Sequence, residues 1–147
     1  MDRIEIPPLW LLLFLALAWG IGQWLPLPLF GVAGRWLGGA LVAAGVALMG
    51  LAAAQMVLLR TTFIPRRDPS ALVTGGIFRL SRNPIYLGDA LVLTGAILWW
   101  DAPAALPLVP IFMALIQHRF IRGEEARLRA HFGDAFEAWA ARTRRWL

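Results

Sequence analysis

The stretch WLGGALVAAGVALMGLAAAQMVLL, residues 36–59, decides the fold. It carries no charge, and it exceeds the roughly 20 apolar residues a helix needs to cross a bilayer core. A second uncharged run extends from Ile6 to Gly34. The 147-residue chain is 59% hydrophobic, above the about 45–50% usual for a soluble domain. These features indicate one integral membrane domain, residues 1–147, with two membrane helices in residues 1–59.

Working outward, the first helix is expected over about Leu9 to Leu25, ended by Pro26 and Pro28. The second covers Trp36 to Leu59. A polar segment follows, and then a shorter apolar run from Tyr86 to Trp100. Asp101, Ala102 and Pro103 predict a turn. A fourth run goes from Pro103 to about Phe120 and continues as helix to His131. The expected fold is all-α, with about four transmembrane helices. It includes a C-terminal helical hairpin and amphipathic tail helices on the cytoplasmic side. Gly34, Gly38, Ala40, Ala44 and Gly45 read as a small-residue stripe for helix packing. The first apolar run lacks a basic lead and a small-residue cleavage site, so it reads as a retained helix.

The net charge is +5, and every basic residue is Arg. The arginines flank the apolar runs, so they speak for topology and against nucleic acid. Arg60, Arg66, Arg67, Arg79 and Arg82 fall in residues 60–83, one Arg falls in the 26–35 turn, and none in the 100–103 turn. This asymmetry puts residues 60–83 and both termini in the cytoplasm. The absence of Cys excludes disulfides and a thiol nucleophile. His118 and His131 lack a partner at metal-ligand spacing, so no metal is expected. In the tail, Asp134 and Glu137 suggest a capping box after Gly133. Phe136, Trp139 and Thr143 then share one face, as in a helix lying at the membrane surface.

Chemistry concentrates in two places. In LSRNPIYLG, residues 80–88, Asn83 reads as an N-cap and Pro84 as the first helical residue. A helix start with Arg79 and Arg82 beside it suits a small anion such as an amino-acid carboxylate. The second place is Glu124-Glu125. Neighbours on a helix diverge by about 100°, so these two are not a dyad acting on one atom. Glu125 is expected to pair with Arg129 or Arg122, and an inward carboxylate suits the hydroxyls of a ribose. Asp89 stands inside the third apolar run, where a charge is a functional candidate. It could bind an amine, accept a proton, or pair with an interfacial Arg.

Together, LVTGGIFRLSRNPIYLG (72–88) and EEARLRAHFGDAFEAW (124–139) resemble the isoprenylcysteine carboxyl methyltransferase family and its phospholipid methyltransferase relatives. Those enzymes carry a TxGxYxxxRHPxY-type block, a helical hairpin and an EExxLxxxFGxxYxxY block. The resemblance covers about residues 70–146. It implies a bacterial inner-membrane methyltransferase, with S-adenosylmethionine bound at the cytoplasmic side by residues 60–147. The cofactor positions fall on Ser70, Ala71, Leu72, Val73, Phe78, Asn83, Pro84, Ile85, Tyr86 and Glu124. The implied partners are membrane lipids and a lipophilic methyl acceptor, with Arg119, Arg82 and Asp89 as candidates for acting on it. The sequence departs from the family at Asn83 (for His), at Phe78, Phe136 and Trp139 (for Tyr), and at Phe120. Phe120 stands where the prenylcysteine enzymes place a substrate-binding Arg, with Arg119 one residue away. A soluble methyltransferase would need alternating strands and helices, and these are missing from the pattern. The rival reading is a non-catalytic membrane protein that keeps the fold as a sensor or assembly factor.

Overall fold

The computed structural model describes residues 7–58 and 72–147. The first uncharged run supplies α1 (Pro7–Trp24), and α2 (Gly31–Leu58) begins five residues earlier than expected, taking in Gly31–Gly34 and Arg35 ahead of the second run. A 3₁₀ turn at Gly76–Arg79 leads to α3 (Pro84–Trp99), and α4 (Leu108–Ile116) follows the Pro103–Ala105 turn. A π-helical segment, Gln117–Ile121, joins α4 to α5 (Arg122–Phe132), and α6 (Asp134–Arg142) closes the chain of helices. No strand occurs among the described residues. Among the described residues, three segments are long and apolar enough to cross a membrane: α1, α2 and the helical stretch Pro103–Phe132. The expected fourth, α3, is apolar but has 16 residues. At 1.5 Å per residue it reaches about 24 Å, short of a core of about 30 Å.

Helices α2 and α3 run antiparallel at backbone distance. A Cβ on Gly38 would lie 2.4 Å from the Gly95 carbonyl oxygen, and one on Gly95 would lie 2.5 Å from that of Gly38. Seven residues along, Gly45 and Gly88 repeat the arrangement at 2.6 and 2.7 Å. Two turns separate the pairs, so one glycine seam serves both helices. Gly34, Gly38 and Gly45 of the small-residue stripe are buried, whereas Ala40 and Ala44 are exposed and take no part.

The other face of α3 packs against α1 and α4 through Tyr86, Ala90, Leu93 and Ile97. Phe14 and Phe112 meet there edge to face, with ring centroids 5.3 Å apart. At the Arg-rich end, Ala52, Val73, Phe78, Phe136 and Trp139 form a second core. Helix α6 therefore lays its apolar face on protein, where the sequence pattern suggested the membrane surface. Its start also differs from expectation. Gly133 occupies the N-cap position with φ +48°, Asp134 is the first helical residue, and no side chain caps the helix. Glu137 instead pairs with Arg129.

At the opposite end, Asp101 sits in the predicted turn with φ +52°. Its carboxylate accepts the backbone N–H groups of Leu29 and Phe30 at 3.0 and 2.9 Å, and of Gly31 at 3.4 Å. The α3–α4 turn thereby caps α2. These bonds, Phe30 foremost, hold the Asp101 carboxyl below the ordinary range.

Candidate active site

The site forms where α3 begins. Pro84 takes the first helical position, as its fixed φ favours. Asn83 occupies the N-cap position without a capping bond, because ψ of 63° departs from the extended backbone of a working cap. Its Nδ2 donates instead to the Arg145 carbonyl at 2.9 Å. The Ser81 hydroxyl donates to the same carbonyl at 3.3 Å and accepts the Asn83 N–H at 3.0 Å. The Arg82 N–H donates to the Arg144 carbonyl at 2.9 Å. The tail is thus strapped across the Ser81–Asn83 bend. Trp146 extends the strap by donating its Nε1 hydrogen to Gln117 Oε1 at 3.1 Å.

The adjacent carboxylates of α5 diverge, as the helix geometry requires. Glu125 is buried, and Arg145 grips it with two bonds of 2.9 and 2.8 Å. Arg82 approaches it at 3.3 Å. Its partners come from the α3 start and the tail, so the expected local pairing with Arg129 or Arg122 is not what forms. The Glu125 bonds hold the Arg145 guanidinium above its ordinary value. Glu124 turns the other way and accepts the Tyr86 hydroxyl hydrogen at 2.5 Å. This contact joins the two sequence blocks that carry the resemblance. Tyr86 also stacks on Phe120, with centroids 6.4 Å apart. The Arg127 charge acts on both Tyr86 and Glu124.

Of the other candidates, Pro84 and Val73 are buried, while Leu72 and Ile85 are half-buried against the second core. The Phe78 ring is buried there too, and its carbonyl accepts the Trp139 Nε1 hydrogen at 3.1 Å. Ser70 and Ala71 lie outside the described residues. Arg79 is exposed. Arg119 is not brought to Tyr86 and Glu124: its guanidinium lies 5.1 Å from the Trp10 ring centroid. Asp89 is 3% exposed, one turn further along α3 than Tyr86.

Gln55 had no place in the sequence reading. Its Nε2 donates to the Gly75 carbonyl at 2.6 Å, and its Oε1 accepts the Ile77 N–H at 3.2 Å. Gly76 is bare (φ +57°) because a Cβ there would come within 2.5 Å of Gln55 Oε1. The signal was available: apart from the Trp36 indole, Gln55 is the sole side chain with an N–H or O–H group in residues 36–59.

Among the described residues, three buried polar atoms have no hydrogen-bond partner: Arg82 Nε, Arg127 Nη1 and Asp89 Oδ2. Buried groups of this kind call for a partner. Two of these atoms are guanidinium donors, the kind of group that can hold an anion. The shallow recess lined by Leu27, Pro28, Leu29, Pro103 and Ala104 is apolar, at the other end of the bundle, and carries no such chemistry.

A sequence profile described as phospholipid methyltransferase matches residues 30–135, well over half of the chain. The chain belongs to the phospholipid methyltransferase family. The matched region runs from the start of α2 through α5, so it contains the glycine seam, the α3 start and both carboxylates. Searches of curated proteins and of solved structures each gave no significant match.

Proposed function

We propose that this family member is an S-adenosylmethionine-dependent methyltransferase acting on a lipophilic acceptor, with its site at the cytoplasmic face of a bacterial inner membrane. The observation that carries the reading is the Tyr86–Glu124 hydrogen bond, which joins the two blocks. Glu124 accepts the ribose hydroxyls. Arg82 Nε and the α3 start receive the carboxylate of the methionine part, with Asn83, Pro84 and Ile85 shaping the wall. S-adenosylmethionine supplies an electrophilic methyl group on a sulfonium. The protein contributes alignment and the exclusion of water.

The acceptor side supports an amine over a carboxylate. Phe120, an uncharged ring, stacks on Tyr86 where a prenylcysteine enzyme would present its Arg. The Arg119 guanidinium lies over Trp10. The Arg-rich composition of residues 60–83 supports the cytoplasmic orientation.

Calorimetry on the detergent-purified protein tests the reading. S-adenosylmethionine and S-adenosylhomocysteine should both bind, and Glu124→Ala should weaken each at least tenfold without unfolding the protein. Unchanged affinity in that variant refutes the site. Binding without methyl transfer to any component of a lipid extract would favour a non-catalytic sensor.

A further inference from the structure

Asp89 is the least explained buried carboxylate among the described residues. It is 3% exposed within an otherwise apolar helix, and its Oδ2 has no hydrogen-bond partner. Among the described residues, pairing with an interfacial arginine, one role the sequence left open, is not seen: Arg82 is engaged with Glu125. Three residues separate Asp89 from Tyr86, so the two side chains share one side of α3. Asp89 lies about 4.5 Å further along the helix axis, away from the Arg-rich end. Among the described residues, the charged and titratable groups around this side are Tyr86 on α3 itself and, from α5, Glu124 and Arg127, both of which act on Tyr86. Glu124 has the Tyr86 hydroxyl as its partner and Asp89 has none. An unpaired carboxylate at membrane depth is costly, and ionisable groups there mark sites of binding or proton movement.

We infer that Asp89 is the acceptor-side residue: it draws in an acceptor head that arrives as an ammonium and takes one proton from it. This rests on the methyltransferase reading above. An ammonium has no lone pair and cannot attack. When its proton moves to a carboxylate oxygen of Asp89, the N–H electron pair remains on nitrogen. That pair then forms the N–C bond to the sulfonium methyl, the C–S pair goes to sulfur, and a neutral thioether leaves. The proton on Asp89 returns to water at the membrane surface. A carboxylate head would meet repulsion at the same place.

The test measures binding of dodecylamine, dodecanol and dodecanoate to the full chain in non-ionic detergent, with and without saturating S-adenosylhomocysteine. Dodecylamine should bind at least tenfold tighter than dodecanol, and dodecanoate weakest. Asp89→Asn should erase the amine preference while changing S-adenosylhomocysteine affinity less than twofold. Asp89→Leu should do the same, and it provides a second folded variant should the amide be poorly tolerated. Equal binding of amine and alcohol by the wild type, or a preference that survives both substitutions, overturns the inference. Wild-type protein that keeps the amine preference but binds no S-adenosylhomocysteine would instead refute the methyltransferase reading and leave Asp89 as an amine site.

Discussion

Replacing Gly38 with Ala tests the α2–α3 seam at its tightest point. The new Cβ would stand 2.4 Å from the Gly95 carbonyl oxygen and 2.6 Å from the Trp99 nitrogen. Ordinary contact begins at 3.4 Å, so α3 must retreat by about 1 Å. Both obstructing atoms are backbone, so no side-chain rotation relieves the clash. Overpacking of this kind costs about 1–3 kcal/mol, and the gain in helix propensity returns at most about 1 kcal/mol. The retreat also loosens Gly45 from Gly88, which places the net loss near the upper part of that range, about 2 kcal/mol or roughly thirtyfold in the unfolding equilibrium. The assay is reversible unfolding in mixed micelles, followed by helicity as dodecyl sulfate is titrated. Gly50→Ala is the control: its Cβ meets nothing within 4 Å, so it should leave stability unchanged or raise it by up to about 1 kcal/mol. Combining Gly38→Ala with Gly95→Ala should cost less than the sum, because both open the same contact. Wild-type stability in Gly38→Ala, or an equal loss in Gly50→Ala, would refute the seam.

Gln55→Leu should release the Gly75–Gly76 turn at a cost of about 1–3 kcal/mol and weaken S-adenosylmethionine binding; proteolysis between α2 and α3 and calorimetry read the two effects. Glu125→Ala should destabilise the protein by about 3 kcal/mol, since it leaves Arg82 mostly buried without its carboxylate, whereas Glu124→Ala should act on binding; chemical unfolding of both variants separates them. Asp101 gives a pH signature. Its folded value lies below the ordinary one, so its stabilising contribution is complete above about 3.9, the unfolded Asp value, and is lost as pH falls through the folded value. Thermal unfolding from pH 7 to pH 3 should show that acid-side loss in the wild type and not in Asp101→Asn.

Much of this fold could be read from composition along the chain. Charge-free runs mark α1 and α2 because a bilayer tolerates little else, and Asp101-Ala102-Pro103 marks the hairpin turn. The meeting of α3 with α5 came through the two-block resemblance. Other features were hidden because their partners lie far apart in sequence. Glu125 was expected to find an arginine three or four residues away, Arg122 or Arg129, yet its partners are Arg82 and Arg145. The tail strap uses the carbonyls of Arg144 and Arg145, and a carbonyl leaves no trace in the amino-acid code. The caps at Asn83 and Asp134 failed for a local reason: residue type fits both positions, but the backbone angles at Asn83 and Gly133 turn elsewhere. The π segment at Gln117–Ile121 had no sequence signal that we recognise.

The pairing of α2 with α3 has a mechanical consequence. Asp101 ties the two together at one end, Gln55 ties α2 to the approach to α3 at the other, and the glycine backbones touch between them. Fastened at three levels, the pair behaves as one slab. A lipid chain cannot part it without breaking backbone-level bonds. The opposite wall, where α1 and α4 meet through interleaved rings such as Phe14 and Phe112, is held by dispersion contacts that reform after sliding. Any sliding between helices therefore belongs on that side, with the slab as its fixed wall.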